Sequence, residues 1–323
     1  MYADHYGLTG RPFQLSPDPR FFFDSRCHRK AVAYLTFGLN EREGFIVITG
    51  DVGTGKTTLV GHLMDRIDRN QFVSARIVTT QLDADNALRM VASAFGLAIQ
   101  AKDKASLLRD IEAFLAATQE GGRHALLVVD EAQNLSAAAL EELRMLSNFQ
   151  LSGKPLVQIF LLGQPQFRAL MGRPEMEQLR QRVIASCHLE PLEEDETRAY
   201  IEHRLRHVGW RGDPSFTPAA FALIHAHSGG VPRRINTLCG RLLLFGFLEE
   251  KHAFDETTVL DVVNELAEEG TQHSSLAPAA APAAVAVAAA LDDGEGPLPE
   301  SYGGVLAALD ERVATLVAEP VRR

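Results

Sequence analysis

Nine residues, GDVGTGKTT at 50–58, follow the apolar run FIVIT (45–49) and open an amphipathic stretch. They satisfy the pattern GxxxxGK[ST] in the strand-then-helix setting where that pattern has a physical mechanism. Glycines at 50, 53 and 55 let the main chain curl so that its N–H groups face phosphate, and the N-terminus of the following helix adds a favourable dipole. Gly50, Asp51, Val52, Gly53, Thr54, Gly55 and Thr58 are therefore expected to cradle the phosphates of a nucleotide. Lys56 is expected to reach the β- and γ-phosphates, and the Thr57 hydroxyl to ligate Mg²⁺.

A strand feeding such a loop needs a sheet around it. Four more short apolar runs provide one: FVSARIVTT (72–80), ALLVVD (125–130), LVQIFLLG (156–163) and VIASCHLEPL (183–192). Runs that are continuously apolar, separated by helical-period segments, belong to parallel strands covered on both faces. The expected fold class is α/β, a five-stranded parallel sheet covered by helices over residues 45–192. After Pro191 the strand pattern stops and only helical patterns follow, one of them opened by Thr217 as cap and Pro218 in the first turn. A small all-helical domain is expected over 193–269.

Residues 1–44, rich in Pro, Phe and Arg, are expected to form a lead-in packed on the nucleotide-binding core. Residues 270–304 are Ala- and Pro-rich and are expected to be a flexible linker. Residues 305–323 place Val305, Leu309, Val313 and Leu316 on one stripe of a short amphipathic helix suited to docking.

The run 125–130 ends in two adjacent carboxylates. Asp130 suits the shell of a Mg²⁺ ion, and Glu131 suits a base that orients and polarises an attacking water, because consecutive positions at a strand end point differently. That pairing favours hydrolysis over transfer to a second substrate. ATP and Mg²⁺ are the implied cofactors. Among eleven histidines only His203 and His207 lie at helical i, i+4 spacing, on a segment crowded with Arg and Glu that reads as a solvated face, so no further metal is expected.

The net charge of −10, from 32 Lys and Arg against 42 Asp and Glu, opposes the basic footprint of a protein that grips phosphate backbones. Nucleic acid is disfavoured as a partner, leaving only a local patch at Arg198, Arg204 and Arg206 to consider. Three widely spaced cysteines form no CxxC pair and fit a reducing compartment. No apolar run approaches the roughly 18 residues needed to span a bilayer. The expected location is cytoplasmic, or peripheral at the inner membrane through partners.

Several phrases together carry a resemblance: GDVGTGKTTL, DEAQNL, LLGQP (161–165), LRQRV (179–183) and GGVPRRIN (229–236), with the opening YGLTGRPFQLSPDPRFFF. In order and spacing they resemble AAA+ ATPases. More narrowly they resemble the general secretion pathway protein A type, including the secretion ATPases found beside exosortase and exopolysaccharide loci, over about residues 1–269. The resemblance implies a P-loop NTPase of AAA+ fold whose helical domain acts as a lid. It implies a homo-oligomeric ring that delivers ATP hydrolysis to protein components of an envelope secretion or polysaccharide export machine.

Carried over by position, Gln164 stands where such ATPases place the sensor of the γ-phosphate. Arg182 matches the arginine finger offered to a neighbouring subunit, with Arg180 in reserve. A finger is an arginine because its fixed, charged fork meets the charge spread over the transferred phosphoryl oxygens. Arg233 resembles the second sensor, with Arg234 one register away. Pro12, Phe13 and His28 of the lead-in are placed near the adenine. Longer members continue into a membrane span and a peptidoglycan-binding module; the Ala/Pro segment and short helix at 270–323 suit the shorter, partner-dependent form instead. Two rival functions share this motif order: a DNA-associated helper ATPase of transposition or initiator type, and a slow nucleotide-dependent switch.

Overall fold

The computed structural model describes residues 2–79, 83–100 and 102–272. The expected docking helix and most of the expected linker lie outside the described residues. Five strands form one parallel sheet: β1 (Phe45–Gly50), β2 (Phe72–Val78), β3 (His124–Asp130), β4 (Val157–Gly163) and β5 (Val183–Leu189), in the order β2-β3-β4-β1-β5.

Side chains leave successive strand positions on opposite faces, and both faces are covered. Phe45 and Val47 of β1, with Leu127, Val129, Ile159 and Leu161, face α3 (Ala84–Ala94), α4 (Lys104–Glu120), α5 (Ala137–Leu146) and α6 (Pro165–Met171). Ile46 and Ile48, with Leu126, Val128, Phe160 and Leu162, face α1 (Arg26–Glu41) and α2 (Lys56–Arg66). Asp83, Asp103 and Ser136 cap α3, α4 and α5 by accepting from main-chain N–H groups, which fixes where each helix starts.

The reading of all five strands as fully buried needs correction at the edges. β1, β3 and β4 are buried along their whole length, whereas in β2 only Ala75 and Ile77 are buried, and Ser74, Arg76 and Val78 face outward. An edge strand has a neighbour on one side only, so helices cover it incompletely. β5, at the other edge, buries Ala185, Cys187 and Leu189 and exposes Ser186.

Beyond the sheet lie α7 (Glu194–His207), α8 (Pro218–Ser228), α9 (Pro232–Leu248) and α10 (Glu256–Gln272). Thr217 accepts from the Ala220 N–H and Pro218 takes the first turn of α8. The region is not purely helical, because Ser215–Phe216 pairs in parallel with Ala253–Phe254. Helix α10 also continues past residue 269, where the helical region was expected to end.

The lead-in divides between the two regions. Tyr6, Leu8, Phe13 and Phe21 enter the core of the helical region beside Ile201, Leu205, Ile235 and Leu242, whereas Phe22 and α1 pack on the sheet side. Residues 1–44 thus contribute to both cores, because aromatic richness does not say which core the aromatics join. Gly246 of α9 admits this: a Cβ there would meet the Tyr6 hydroxyl at 2.3 Å and the Phe254 ring at 2.5 Å. Among the described residues no helix is long and apolar enough to cross a membrane.

His124 opens β3 fully buried, and its Nε2 has no hydrogen-bond partner. Burial, with Arg42 nearby, pushes its imidazole from 6.5 down to about 4. The unfolded chain takes up this proton below about 6.5 and the folded chain only near 4. Its contribution to stability is therefore full above 6.5 and is lost as pH falls to about 4. Urea midpoints at pH 7 and pH 4.5 are expected to fall further for the wild type than for His124→Gln. Equal falls would show that His124 does not carry the acid sensitivity.

Candidate active site

The carboxyl ends of β1, β3 and β4 meet along one edge of the sheet, because Thr49 pairs with Gly163 and Val129 with Leu161. Between β1 and α2 the chain turns through Gly53 at φ 89° and Gly55 at φ 98°, a region that L side chains rarely adopt. Gly50 is tight as well: a Cβ there would lie 2.8 Å from the Leu189 carbonyl. Gly55 caps α2 without a side chain, so the first N–H groups of that helix remain available to an anion.

Lys56 is buried, and its Nζ donates to the carbonyls of Gly50 at 2.6 Å and Asp51 at 2.8 Å. Burial lowers its pKa while Glu131, Asp130 and Asp51 oppose that shift. The ammonium thus sits inside the loop's concave side. Thr54 Oγ1 donates to the Asp51 carbonyl at 2.9 Å and holds the loop closed on itself.

Thr57 Oγ1 donates to Asp130 Oδ2 at 3.1 Å, which brings both expected Mg²⁺ ligands together although 73 positions separate them. Two hard oxygen donors that leave room for waters and phosphate suit Mg²⁺. Arg76, unforeseen from the sequence, also donates to Asp130 Oδ2, at 2.5 Å. A lone arginine in the apolar run of β2 was the available signal, but only the pairing of β2 with β3 shows its target.

Glu131 turns out of β3 in a left-handed conformation, φ 57° and ψ 39°. Its Oε2 accepts from Gln164 Nε2 at 3.0 Å and from Gln133 Nε2 at 2.6 Å. The expected base and the expected sensor therefore touch, and Gln133 joins them.

Above the loop, the Arg233 N–H donates to the Gly53 carbonyl at 3.2 Å, and Arg233 lines the cavity. Arg234 is exposed and turns toward Gly229, outside that lining. His28 lines the cavity, its Nε2 3.1 Å from the Thr54 carbonyl and its Nδ1 2.7 Å from Ser25 Oγ. Burial lowers its pKa, so the ring is held neutral. Phe13 does not reach the cavity but is buried in the helical core; Pro12 is also absent from the lining, which takes Gln14, Leu15 and Ser16 from the lead-in instead. Pro12 supplies a carbonyl to Arg204 Nε at 2.6 Å.

Arg204, considered from the sequence only as part of a basic patch, takes a different place. It is buried, donates to the Tyr200 hydroxyl at 3.0 Å, and lies 4.6 Å from the centre of the Phe21 ring. Tyr200 donates in turn to Asn236 Oδ1 at 2.9 Å, and Asn236 Nδ2 to the Gln14 carbonyl at 3.3 Å. The basic patch considered at Arg198, Arg204 and Arg206 dissolves, because Arg198 and Arg206 both pair with Glu202. His203 is half-buried against Phe23, whereas His207 packs on Phe21 yet stays exposed, so the solvated-face reading is corrected at His203 and not at His207.

Arg182 stays outside this site. Its carbonyl accepts from the Phe45 N–H at 2.9 Å, at the start of β1, whereas the phosphate loop follows the end of that strand. Among the described residues, its guanidinium makes long contacts, 3.4 and 3.5 Å, to Ser147. Arg180 is engaged by the carbonyls of Met171 and Arg173 and by Glu177.

Residues 39–171 match the AAA domain family. The general secretion pathway protein A of Aeromonas hydrophila is 36% identical over 280 residues, covering 85% of this chain and 51% of that protein. The chain thus spans about half the length of that relative. Among solved structures, the ORC2 protein of Aeropyrum pernix in its ADPNP–ADP complexes superposes with a TM-score of 0.62 at 20% identity, over 79% of this chain and 71% of that one. Cdc6p from Pyrobaculum aerophilum superposes at 0.59 with 15% identity, over 78% and 70%. The fold is that of the P-loop AAA+ ATPases, and the chain is related to secretion protein A.

Gly53→Ala tests the loop. A Cβ there would lie 2.5 Å from Arg233 Cβ, and its φ would cost about 1–2 kcal/mol. Affinity for a fluorescent ATP analogue is expected to fall at least about tenfold with the far-UV dichroism retained. Unchanged affinity would remove the loop from the binding site.

Proposed function

We propose, from the premise that residues 39–171 form an AAA domain, that this chain is a Mg²⁺-dependent ATPase that energises or regulates an envelope secretion or exopolysaccharide export system. The observation that carries the hydrolytic reading is the Glu131 carboxylate, held by two amides one residue beyond the Thr57–Asp130 pair. Bound Mg²⁺ would supply positive charge that offsets the charge on the phosphate oxygens. Thr57 and Asp130 would hold it.

Each remaining residue has one task. Lys56 and the N–H groups of residues 50–58 bind the β- and γ-phosphates. Glu131 accepts a hydrogen bond from the attacking water and so orients it toward the γ-phosphorus. Gln164 registers whether that phosphate is present, and Arg233 carries its presence or loss to the helical region, which serves as lid. Arg182, at the end of the strands opposite the phosphate loop, is the residue this reading assigns to a neighbouring subunit in a homo-oligomeric ring.

The destination rests on the relative named for general secretion, of which this chain spans about half. The cytoplasmic face of the inner membrane, reached through partner proteins, suits an ATPase of that kind. A DNA-directed function has no comparable support: the arginines it would use at 198, 204 and 206 are paired or buried.

Lys56→Ala is expected to weaken ATP binding at least about tenfold, and Glu131→Gln to leave binding within about twofold while cutting turnover by about a hundredfold or more. Equal loss of binding in both would remove the role assigned to Glu131. Turnover per protomer is expected to rise with protein concentration in the wild type and to fall by about a thousandfold in Arg182→Ala. A rate independent of concentration and untouched by Arg182→Ala would rule out a finger acting between subunits.

A further inference from the structure

We infer that Gln133 is a positioning residue for hydrolysis, which ties the base Glu131 and the sensor Gln164 into one unit; the inference rests on the roles proposed above for those two residues. Its side-chain amide makes two contacts in opposite senses. Nε2 donates to Glu131 Oε2 at 2.6 Å, and Oε1 accepts from the main-chain N–H of Gln164 at 2.9 Å. Turning the amide over would set its oxygen against a carboxylate and its NH₂ against an N–H. Only one orientation satisfies both neighbours.

The main chain of Glu131 is anchored separately. Thr79 Oγ1 donates to the Glu131 carbonyl at 2.6 Å, the Asn134 N–H donates to the same carbonyl at 2.9 Å, and Asn134 Nδ2 donates to the Thr79 carbonyl at 3.0 Å. These bonds hold the left-handed turn without fixing the side chain, which has three free torsions. Among the described residues, the carboxylate's hydrogen bonds come from the two amides, and both use Oε2. Oε1 is left for the attacking water.

Gln164 cannot by itself keep the base in place. When its amide turns to a γ-phosphate, its hold on Glu131 weakens, and Gln133 remains as the tether. Because Gln133 also accepts from the Gln164 main chain, it holds the sensor's backbone at a set distance from the base throughout. A glutamine two positions after the base, on the 3₁₀ turn Ala132–Asn134, spans this gap; asparagine is one methylene too short.

The test uses the full chain with Mg-ATP at a protein concentration where wild-type turnover is measurable. Gln133→Ala is expected to lower kcat about 10- to 100-fold while the Kd for a fluorescent ATP analogue stays within about twofold. Gln133→Glu has the same shape but no N–H to donate, and is expected to lose at least as much. The double variant Gln133→Ala with Gln164→Ala is expected to fall within about threefold of Gln164→Ala alone, because residues acting as one unit are not additive. Should Gln133→Ala lose its melting transition, Gln133→Glu carries the test.

Wild-type kcat in Gln133→Glu would overturn the inference. So would a loss of analogue affinity that accounts for the fall in kcat/KM, or independent, multiplicative effects of Gln133 and Gln164. Glu131→Gln separates the two levels: an inactive Glu131→Gln beside fully active Gln133 variants rejects the role of Gln133 alone. An active Glu131→Gln rejects the base assignment beneath it.

Discussion

The main-chain ladder that seats β1 between β4 and β5 is the constraint on which the site depends. Parallel pairing to both neighbours brings Gly50 beside Leu189 and Thr49 beside Gly163, and β4 in turn aligns β3. Three strand ends, at Gly50, Asp130 and Gly163, thereby deliver Lys56, Asp130 and Gln164 to one end of the sheet. The chain leaves β1 toward the far side of the sheet and returns beside it, so the crevice opens where strand order reverses, as expected for ligands of open parallel sheets. Glycine at 50 is part of the same ladder, because any side chain there would press on the Leu189 carbonyl.

Charge at this edge is balanced locally. A buried ammonium is costly unless paired or hydrogen-bonded, and Lys56 meets two carbonyls within 2.8 Å with three carboxylates nearby. Asp130 is buried too, and Arg76 neutralises it from β2. Arg204 solves the same problem without a carboxylate in hydrogen-bond contact: a carbonyl, a hydroxyl and the face of Phe21 together accommodate its charge. Substituting the Pro12 carbonyl for an acid ties the lead-in to the helical region, and the two then form a common wall of the cavity.

What the sequence made legible is what local spacing encodes. Lys56 and Thr57 follow the glycines at fixed intervals, and Asp130 and Glu131 end an apolar run, so their roles can be assigned before any contact is known. Arg76 and Gln133 could not be assigned in this way. The first depends on which strand β2 pairs with, and the second on a left-handed turn that folds the chain back on itself. The division of the lead-in between two cores was hidden for a related reason: Phe13 and Phe21 advertise burial, not the core that receives them. The supposed basic patch was legible in principle, since Arg198, Glu202 and Arg206 stand at i, i+4 spacing, where opposite charges pair on a helix surface.

Contacts from His28 show how the lead-in meets the phosphate loop. The Thr54 carbonyl can only accept, so the ring's Nε2 must carry the hydrogen, and Nδ1 must accept from the Ser25 hydroxyl. A neutral ring is what burial enforces, and a neutral ring with one donor and one acceptor is what both neighbours need. Gly55 completes the fit: a Cβ there would come within 3.0 Å of His28 Nε2. The glycine that frees the helix N-terminus for an anion therefore also admits the imidazole behind it. The same lead-in reaches Arg204 through Pro12 and Asn236 through Gln14. One segment thus contacts the loop that would hold the phosphates and the helices that would move when they leave.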